Sequence, residues 1–433
     1  MSLLYTAYTV FSSGLLITCF PPFYGYAALS GRFREGLGER LGLAPGRLPR
    51  DAEDAPRIWL QAASLGEVRV AGALRPHLEK AVPGCTIFLS TTTPHGREMG
   101  RKIFGNRPVF YAPIDTLFSV RKALSRVRPD VLVMLETEIW PAWITEAHRM
   151  GIPIALVNGR ISVRSVGKYL RLRPFFRDVL SRVEAFSMIG REDAERILAM
   201  GAKPEKVRIG GNAKYELLAG EADPAAPAEI RRALNLGPSQ PVLVAGSTRS
   251  GEEDMILDAF RRISSRFPDA VLILAPRHVA RTRQIESLLR DRGFSYRLRT
   301  DLSDPSPKRT EPVVLVNTFG ELFRLYSVGT INFCGASLVP LGGQNPLEPA
   351  AWGKAAFYGP SMDDFLDAKD LLEGVGAGIE IQTPAELADR AVWFLEHPED
   401  LRARGESARN ALLQDKGAAE KHAKVITGLL EGH

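Results

Sequence analysis

The chain has 433 residues, several times the ~150-residue prior for one domain, so two large α/β domains fit better than a single core. Hydrophobic residues at 45% and charged residues at 24% exclude disorder as the main state, and three scattered cysteines (Cys19, Cys85, Cys334) exclude a disulfide framework. The net charge of +6 is unevenly spread: residues 1–220 carry 31 Lys/Arg against 20 Asp/Glu, the remainder 25 against 30. A basic half beside an acidic half points to an anionic partner, whether nucleic acid, an acidic membrane leaflet or a phosphorylated substrate.

At the N-terminus no charge precedes Arg32, and Leu3–Phe20 is an apolar run of 18 residues, about 27 Å as a helix. Pro21 and Pro22 interrupt it, and Phe23–Leu29 continues apolar. The positive start of a signal peptide is missing. A buried core helix competes with a membrane anchor, and residues 1–31 are read as the anchor. Arg32, Arg34, Arg40, Arg47 and Arg50 outnumber Glu35 and Glu39 after it, which places the body on the cytoplasmic side.

Short apolar runs then alternate with helical stretches: Arg57–Gln61, Thr86–Ser90, Pro108–Tyr111, Val131–Leu135, Ile154–Val157 and Phe186–Ile189. The rhythm predicts a parallel sheet. It restarts at Val242–Ala245, Val271–Ala275, Val313–Val316, Thr330–Phe333 and Ala355–Tyr358, with a helical close over Pro384–Leu430. Leu218–Pro241, rich in Ala, Pro and Gly, reads as the hinge. The expectation is two doubly wound, Rossmann-like domains, 32–220 and 221–433, with a ligand site at the strand C-termini in the cleft between them.

Motifs sit at those strand ends. Gln61-Ala-Ala-Ser-Leu-Gly-Glu67 puts a carboxylate at a helix start, as a cap or as a general base. Ser90-Thr-Thr-Thr-Pro-His-Gly96 reads equally as an anion-binding turn or an N-cap. Glu136 and Glu138 directly follow an apolar strand, where acids are costly unless solvated or paired. Arg160 to Arg182 holds seven cations against Asp178, interleaved with Val166, Leu170, Phe175, Phe176 and Val179, an interfacial, anion-seeking pattern. Ala245–Glu253, Ala275–His278 and Gly342–Pro349 are further strand-end loops; the glycine-rich one offers N–H groups to a phosphate, and Glu348 suits ribose hydroxyls. No Asp-x-Asp occurs, which argues against a metal-chelated sugar nucleotide.

The ordered set S-L-G-E, T-T-T-P, E-T-E-I-W-P, N-G-R-I-S-V-R-S, G-N-A-K-Y, G-S-T-x-x-G-E-E, P-R-H, G-E-L and N-P-L-E-P resembles the bacterial 3-deoxy-D-manno-oct-2-ulosonic acid (Kdo) transferases. That resemblance implies a GT-B fold. It implies transfer of Kdo from CMP-Kdo to a lipid A precursor of the lipid IVA type at the cytoplasmic face of the inner membrane, with inversion, no cofactor, no metal and no nucleic acid. It implies that Glu67 accepts the hydroxyl proton, and that Glu136 and Lys214 stabilise the transition state. It further implies that Pro276, Arg277, Phe319, Gly320, Glu321, Asn345, Pro346, Leu347 and Glu348 bind CMP. His95, Asn317, Phe319 and Gln344 stand where the family has Thr, Asp, Met and His. Two other readings compete: a GT-B transferase or epimerase using a UDP-sugar, and an inactive, membrane-tethered paralogue.

Overall fold

A computed structural model describes residues 5–15, 18, 36–43, 55–302 and 308–431. The chain forms two compact units. One runs to Glu216 and takes back the residues from Asp415 onward; the other is Leu217–Gln414.

Among the described residues the first unit carries seven strands: β1 (Arg57–Gln61), β2 (Thr86–Thr91), β3 (Val109–Tyr111), β4 (Val131–Leu135), β5 (Ile154–Gly159), β6 (Ala185–Met188) and β7 (Val207–Ile209). They pair in parallel in the order β3-β2-β1-β4-β5-β6-β7. The central strands read as unbroken apolar runs because helices cover both faces. Trp59, Phe88, Leu132 and Trp143 pack on one face; Ile58, Leu60, Val131 and Val133 pack on the other against Val68, Leu74 and Leu78 of helix Leu65–Ala81. The strand order reverses between β1 and β4, so their C-terminal ends diverge into a crevice.

The second unit repeats the scheme with β8 (Val242–Thr248), β9 (Val271–Pro276), β10 (Tyr296–Leu298), β11 (Val313–Leu315), β12 (Ile331–Cys334), β13 (Ala356–Tyr358) and β14 (Gly378–Glu380). Their order is β10-β11-β9-β8-β12-β13-β14, again parallel, with the reversal between β8 and β12.

One expectation changes. A domain running unbroken over 221–433 does not describe the chain, because helix Ala418–Glu431 returns to the first unit. Ala418, Ala419, Ala423 and Ile426 join that unit's core. His422 is wholly buried there; its Nε2–H donates to the Gly211 carbonyl at 3.0 Å, so Nδ1 accepts from the Ser187 hydroxyl at 2.8 Å. Burial pushes this imidazole down to about 4, which keeps it neutral. Glu216 fixes the approach by accepting the Gly417 and Ala419 amides at 2.8 and 3.0 Å.

The expected anchor over residues 1–31 lies mostly outside the described residues. Residues 5–15 are helical, and no helix among the described residues is long and apolar enough to cross a membrane; most of 16–31 lies outside them. The helix is docked on one side. Tyr5 is 1% exposed, donates to Glu146 at 3.2 Å, and lies under the Arg149 guanidinium. Tyr8 donates to Asp115 at 2.5 Å, and Asp115 also accepts the Ala142 and Trp143 amides, capping helix Pro141–Arg149. Val10, Phe11 and Leu15 on the other side are exposed. Residues 5–15 therefore combine a docked side, where two tyrosines make polar contacts that a purely apolar reading does not foresee, with an exposed apolar side.

Tyr8→Phe removes a hydrogen bond to a half-buried carboxylate and should cost about 1.5–3 kcal/mol of first-unit stability. Urea unfolding of the variant at neutral pH checks this, with an unchanged midpoint as the contrary result.

Candidate active site

The crevice of the first unit gathers three carboxylates and a lysine. Ser64 caps helix Leu65–Ala81, and Glu67 at the third helical position completes a reciprocal box. Its Oε2 accepts the Ala63 amide at 2.7 Å and its Oε1 accepts the Ser64 hydroxyl at 2.8 Å. The capping reading of Glu67 is thus real, and each oxygen still keeps a second lone pair. Burial pushes this carboxyl up, as does the nearby Glu136, while Ser64, Ala63 and Lys214 oppose the rise.

Glu136 ends β4 in the left-handed region at φ 55°, a conformation that costs a non-glycine residue about 1–3 kcal/mol. Its amide donates to the Val157 carbonyl at 3.0 Å, and its carboxylate pairs with Lys214 Nζ at 2.6 Å. Lys214 comes from the first turn of helix Ala213–Gly220. That turn is set by Asn158, itself at φ 50°, whose Oδ1 accepts the Ala213 amide at 2.9 Å. Lys214 also lies over Gly66, where an added Cβ would stand 3.5 Å from Nζ. The structure therefore brings Glu67, Glu136 and Lys214, which were singled out from distant motifs, into one cluster.

A fourth member emerges from hydrogen-bond direction. Trp59 Nε1–H can only donate, and it does so to Ser90 Oγ at 2.7 Å. Ser90 in turn donates to Gln61 Oε1 at 2.5 Å, which turns the Gln61 amide N–H toward Glu138 Oε2 at 3.5 Å. Ser90 and Gln61 are wholly buried, so this relay fixes Gln61 and through it Glu138. Burial first and the Glu67 charge second push Glu138 up to about 8. It keeps its proton at neutral pH beside a carboxylate. The spacing of E-T-E marks Glu138 as a candidate, whereas Trp59, Ser90 and Gln61 carry no local signal.

The T-T-T-P turn resolves as an N-cap: Thr93 accepts the Gly96 amide at 3.0 Å, and Thr92 donates to the Ala63 carbonyl at 2.7 Å. His95 is exposed.

The second unit groups the other singled-out residues at its own strand ends. Pro276 closes β9 and is buried; the Arg277 side chain is exposed, while its amide donates to the Thr248 carbonyl at 3.1 Å. Phe319 is 90% exposed ahead of Gly320 at φ 87°, an aromatic face open to solvent. Glu321 is bound by Arg299 at 2.9 Å and by the Thr318 hydroxyl at 3.0 Å, so it is engaged within the protein. Asn317, one of the departures, clips Thr300 through its amide and hydroxyl at 3.1 and 2.9 Å. Asn345 Oδ1 accepts the Leu347 amide at 3.1 Å and so starts helix Leu347–Ala351, while Gln344 bonds the adjacent Gly343 carbonyl. Pro346 and Leu347 are buried, and Glu348 is half-buried near Tyr326 and Cys334.

Chemically, the first cluster supplies a carboxylate base, a protonated carboxyl and a cation within one crevice. Because the folded state binds the Glu138 proton more tightly than the unfolded chain, its contribution to stability is full below about 4. That contribution is lost as pH rises through about 8. Glu138→Gln removes this term, so its thermal midpoint should rise relative to the parent protein between pH 5 and pH 8. Differential scanning calorimetry at both pH values measures it, and a pH-independent difference is the contrary result.

Residues 35–217 match the family described as 3-deoxy-D-manno-octulosonic-acid transferase (kdotransferase). The chain is 29% identical over 432 residues to the 3-deoxy-D-manno-octulosonic acid transferase of Haemophilus influenzae, covering 97% of this chain and 98% of that one. It is 30% identical over 353 residues to the probable mitochondrial 3-deoxy-D-manno-octulosonic acid transferase of Arabidopsis thaliana, covering 79% of this chain and 78% of that protein. In fold it is similar to the crystal structure of a glycosyltransferase from Rickettsia africae ESF-5, with TM-score 0.57 and 12% identity over 88% of this chain and all of that one, in keeping with a GT-B architecture. From the motifs in their order and these likenesses, the chain belongs to the 3-deoxy-D-manno-octulosonic acid transferase family.

Proposed function

We propose that this glycosyltransferase moves Kdo from CMP-Kdo to a hydroxyl of a lipid A precursor. The observation that carries the reading is the acid cluster at the β1–β4 reversal, with Glu136 paired to Lys214 beside Glu67. The acceptor is a neutral sugar alcohol, so its proton must leave as the oxygen attacks the anomeric carbon of Kdo. Glu67 takes that proton. The bond from the anomeric carbon to the phosphate oxygen breaks on the opposite face, CMP departs with the electron pair, and the anomeric centre is inverted. Lys214, neutralised at rest by Glu136, offers a cation to the charge that develops during transfer.

In the second unit Arg277 supplies a charge-assisted hydrogen bond to the CMP phosphate, and its lack of any intramolecular side-chain partner among the described residues suits that role. Phe319, exposed at its loop tip, gives the nucleotide an aromatic face, and Glu348 suits the ribose hydroxyls.

We place the enzyme on the cytoplasmic face of the inner membrane, lying in the interface through its N-terminal segment. Support comes from Val10, Phe11 and Leu15, which are 69%, 70% and 52% exposed on a helix whose Tyr8 ring packs 5.6 Å from Phe175. Phe175 belongs to the helix Arg173–Leu180, which carries Arg173 and Arg177, so the N-terminal helix packs on a basic one, and apolar and cationic residues together favour anionic lipid surfaces.

Glu67→Gln keeps an oxygen for the helix cap but loses the base. Turnover should fall by about 10²–10⁴-fold with CMP affinity retained. Near-normal turnover on a correctly folded preparation would assign Glu67 to capping alone. Arg277→Ala should weaken CMP binding by roughly ten- to a hundredfold, the equivalent of a charged hydrogen bond. Isothermal calorimetry reads this, and an unchanged affinity removes the residue from the site. Phe11→Glu should release the protein from anionic vesicles in a flotation assay; undiminished flotation would contradict the interfacial reading.

A further inference from the structure

The transfer step proposed above assigns no role to the segment Gly246–Glu253, yet it contains two deeply buried carboxylates. Glu252 is 0% and Glu253 is 1% exposed, at the first two positions of helix Glu252–Arg266. They stand where the order of the second sheet reverses, between β8 and β12. In doubly wound nucleotide-binding sheets this crevice is where a ligand phosphate settles.

Here the crevice is already filled. Glu252 accepts four backbone amides: Arg249 at 2.9 Å, Ala336 at 2.6 Å, Ser337 at 2.9 Å and Leu338 at 3.0 Å. Its fan of bonds ties the turn after β8 to the turn after β12. Ala336 sits at φ 58°, and an added Cβ at Gly335 would lie 2.7 Å from the Ser247 carbonyl oxygen. The two turns therefore cross in contact, with the carboxylate as their common acceptor. From Ala336 the path leads on, because its carbonyl accepts the Gly343 amide at 2.8 Å, two residues before Asn345. Glu253 faces the other way. It accepts the Thr248 hydroxyl at 3.0 Å and pairs with Arg281 at 2.8 Å, four residues beyond Arg277. Adjacent carboxylates thus set the loops that follow β8, β9 and β12.

We propose that Glu252 is a positioning residue for the donor: its carboxylate serves as a built-in anion that shapes the 335–345 loop and leaves CMP to be held by the loops outside the crevice. This inference rests on the donor reading above and deepens it.

Glu252→Gln keeps the size of the side chain but turns an N–H₂ group toward N–H donors. CMP affinity by isothermal calorimetry should fall about tenfold or more, the effect of roughly one lost hydrogen bond to a charged group. In steady state the KM for CMP-Kdo should rise in step, while the KM for the acceptor should not move. Amides of 336–338 should lose protection from hydrogen exchange while those of β12 keep it. If the glutamine variant fails to fold, Glu252→Asp, which withdraws the carboxylate by one methylene, should show the same split between the two KM values. A lower thermal midpoint with unchanged CMP affinity and unchanged donor KM would overturn the proposal and leave Glu252 a purely structural group. Absence of CMP binding by the parent protein would overturn the donor reading, and this inference with it.

Discussion

A parallel strand that turns directly into a helix leaves backbone N–H groups at the turn without partners, and much of this protein follows from how they are satisfied. At the reversal point of each sheet the chain answers with a glutamate from the start of the next helix. Glu67 follows β1 and Glu252 follows β8, each just after a glycine. Their bonding differs in a way that separates chemistry from architecture. Glu252 spends its carboxylate on four amides contributed by two turns and is sealed from solvent. Glu67 takes one amide and one hydroxyl and has charged neighbours, Glu136 and Lys214, within electrostatic reach. One carboxylate is consumed by the fold, and the other is left with capacity to bind a proton.

Holding several acids in one crevice works against stability. Glu136 and Asn158 occupy left-handed conformations at the ends of β4 and β5, and Glu138 and Glu67 are both disfavoured as anions by burial. The arrangement persists because rigid parts surround it: the Trp59–Ser90–Gln61 relay below, the Lys214 ion pair beside, and the paired strands on either side. Strain and raised carboxyl pKa values coincide here with the motifs singled out in the sequence, as expected where function rather than stability selects the geometry.

The interior strands of both sheets could be read from the sequence because burial on two faces makes them continuous apolar runs. The unread strands, β7, β10 and β14, are three-residue edge strands of sequence VRI, YRL and GIE, half in water, where no such run is required. Helix Ala418–Glu431 was legible as a helix but not as a part of the first unit, since amphipathic spacing says that a face is buried without saying against which sheet. Glu67 and Glu136 were legible as motif residues at predicted strand ends, and Lys214 only through the family resemblance of G-N-A-K-Y. The bonds that hold Glu138 were not, because Gln61 and Ser90 meet across neighbouring strands 29 residues apart. For the N-terminal segment, hydropathy conveyed the apolar face and missed the contacts of Tyr5 and Tyr8 with Glu146 and Asp115.

The identity of the transferred group decides whether this protein is a Kdo transferase in action as well as in family. Mass spectrometry of the glycolipid product, after incubating the protein with CMP-Kdo and a lipid A precursor in detergent, tests it most directly. The expected product is heavier by whole Kdo residues, with one CMP released for each and no transfer when a UDP-sugar replaces the donor. An acceptor of unchanged mass with CMP-Kdo, or sugar transfer from a UDP-sugar instead, would contradict it.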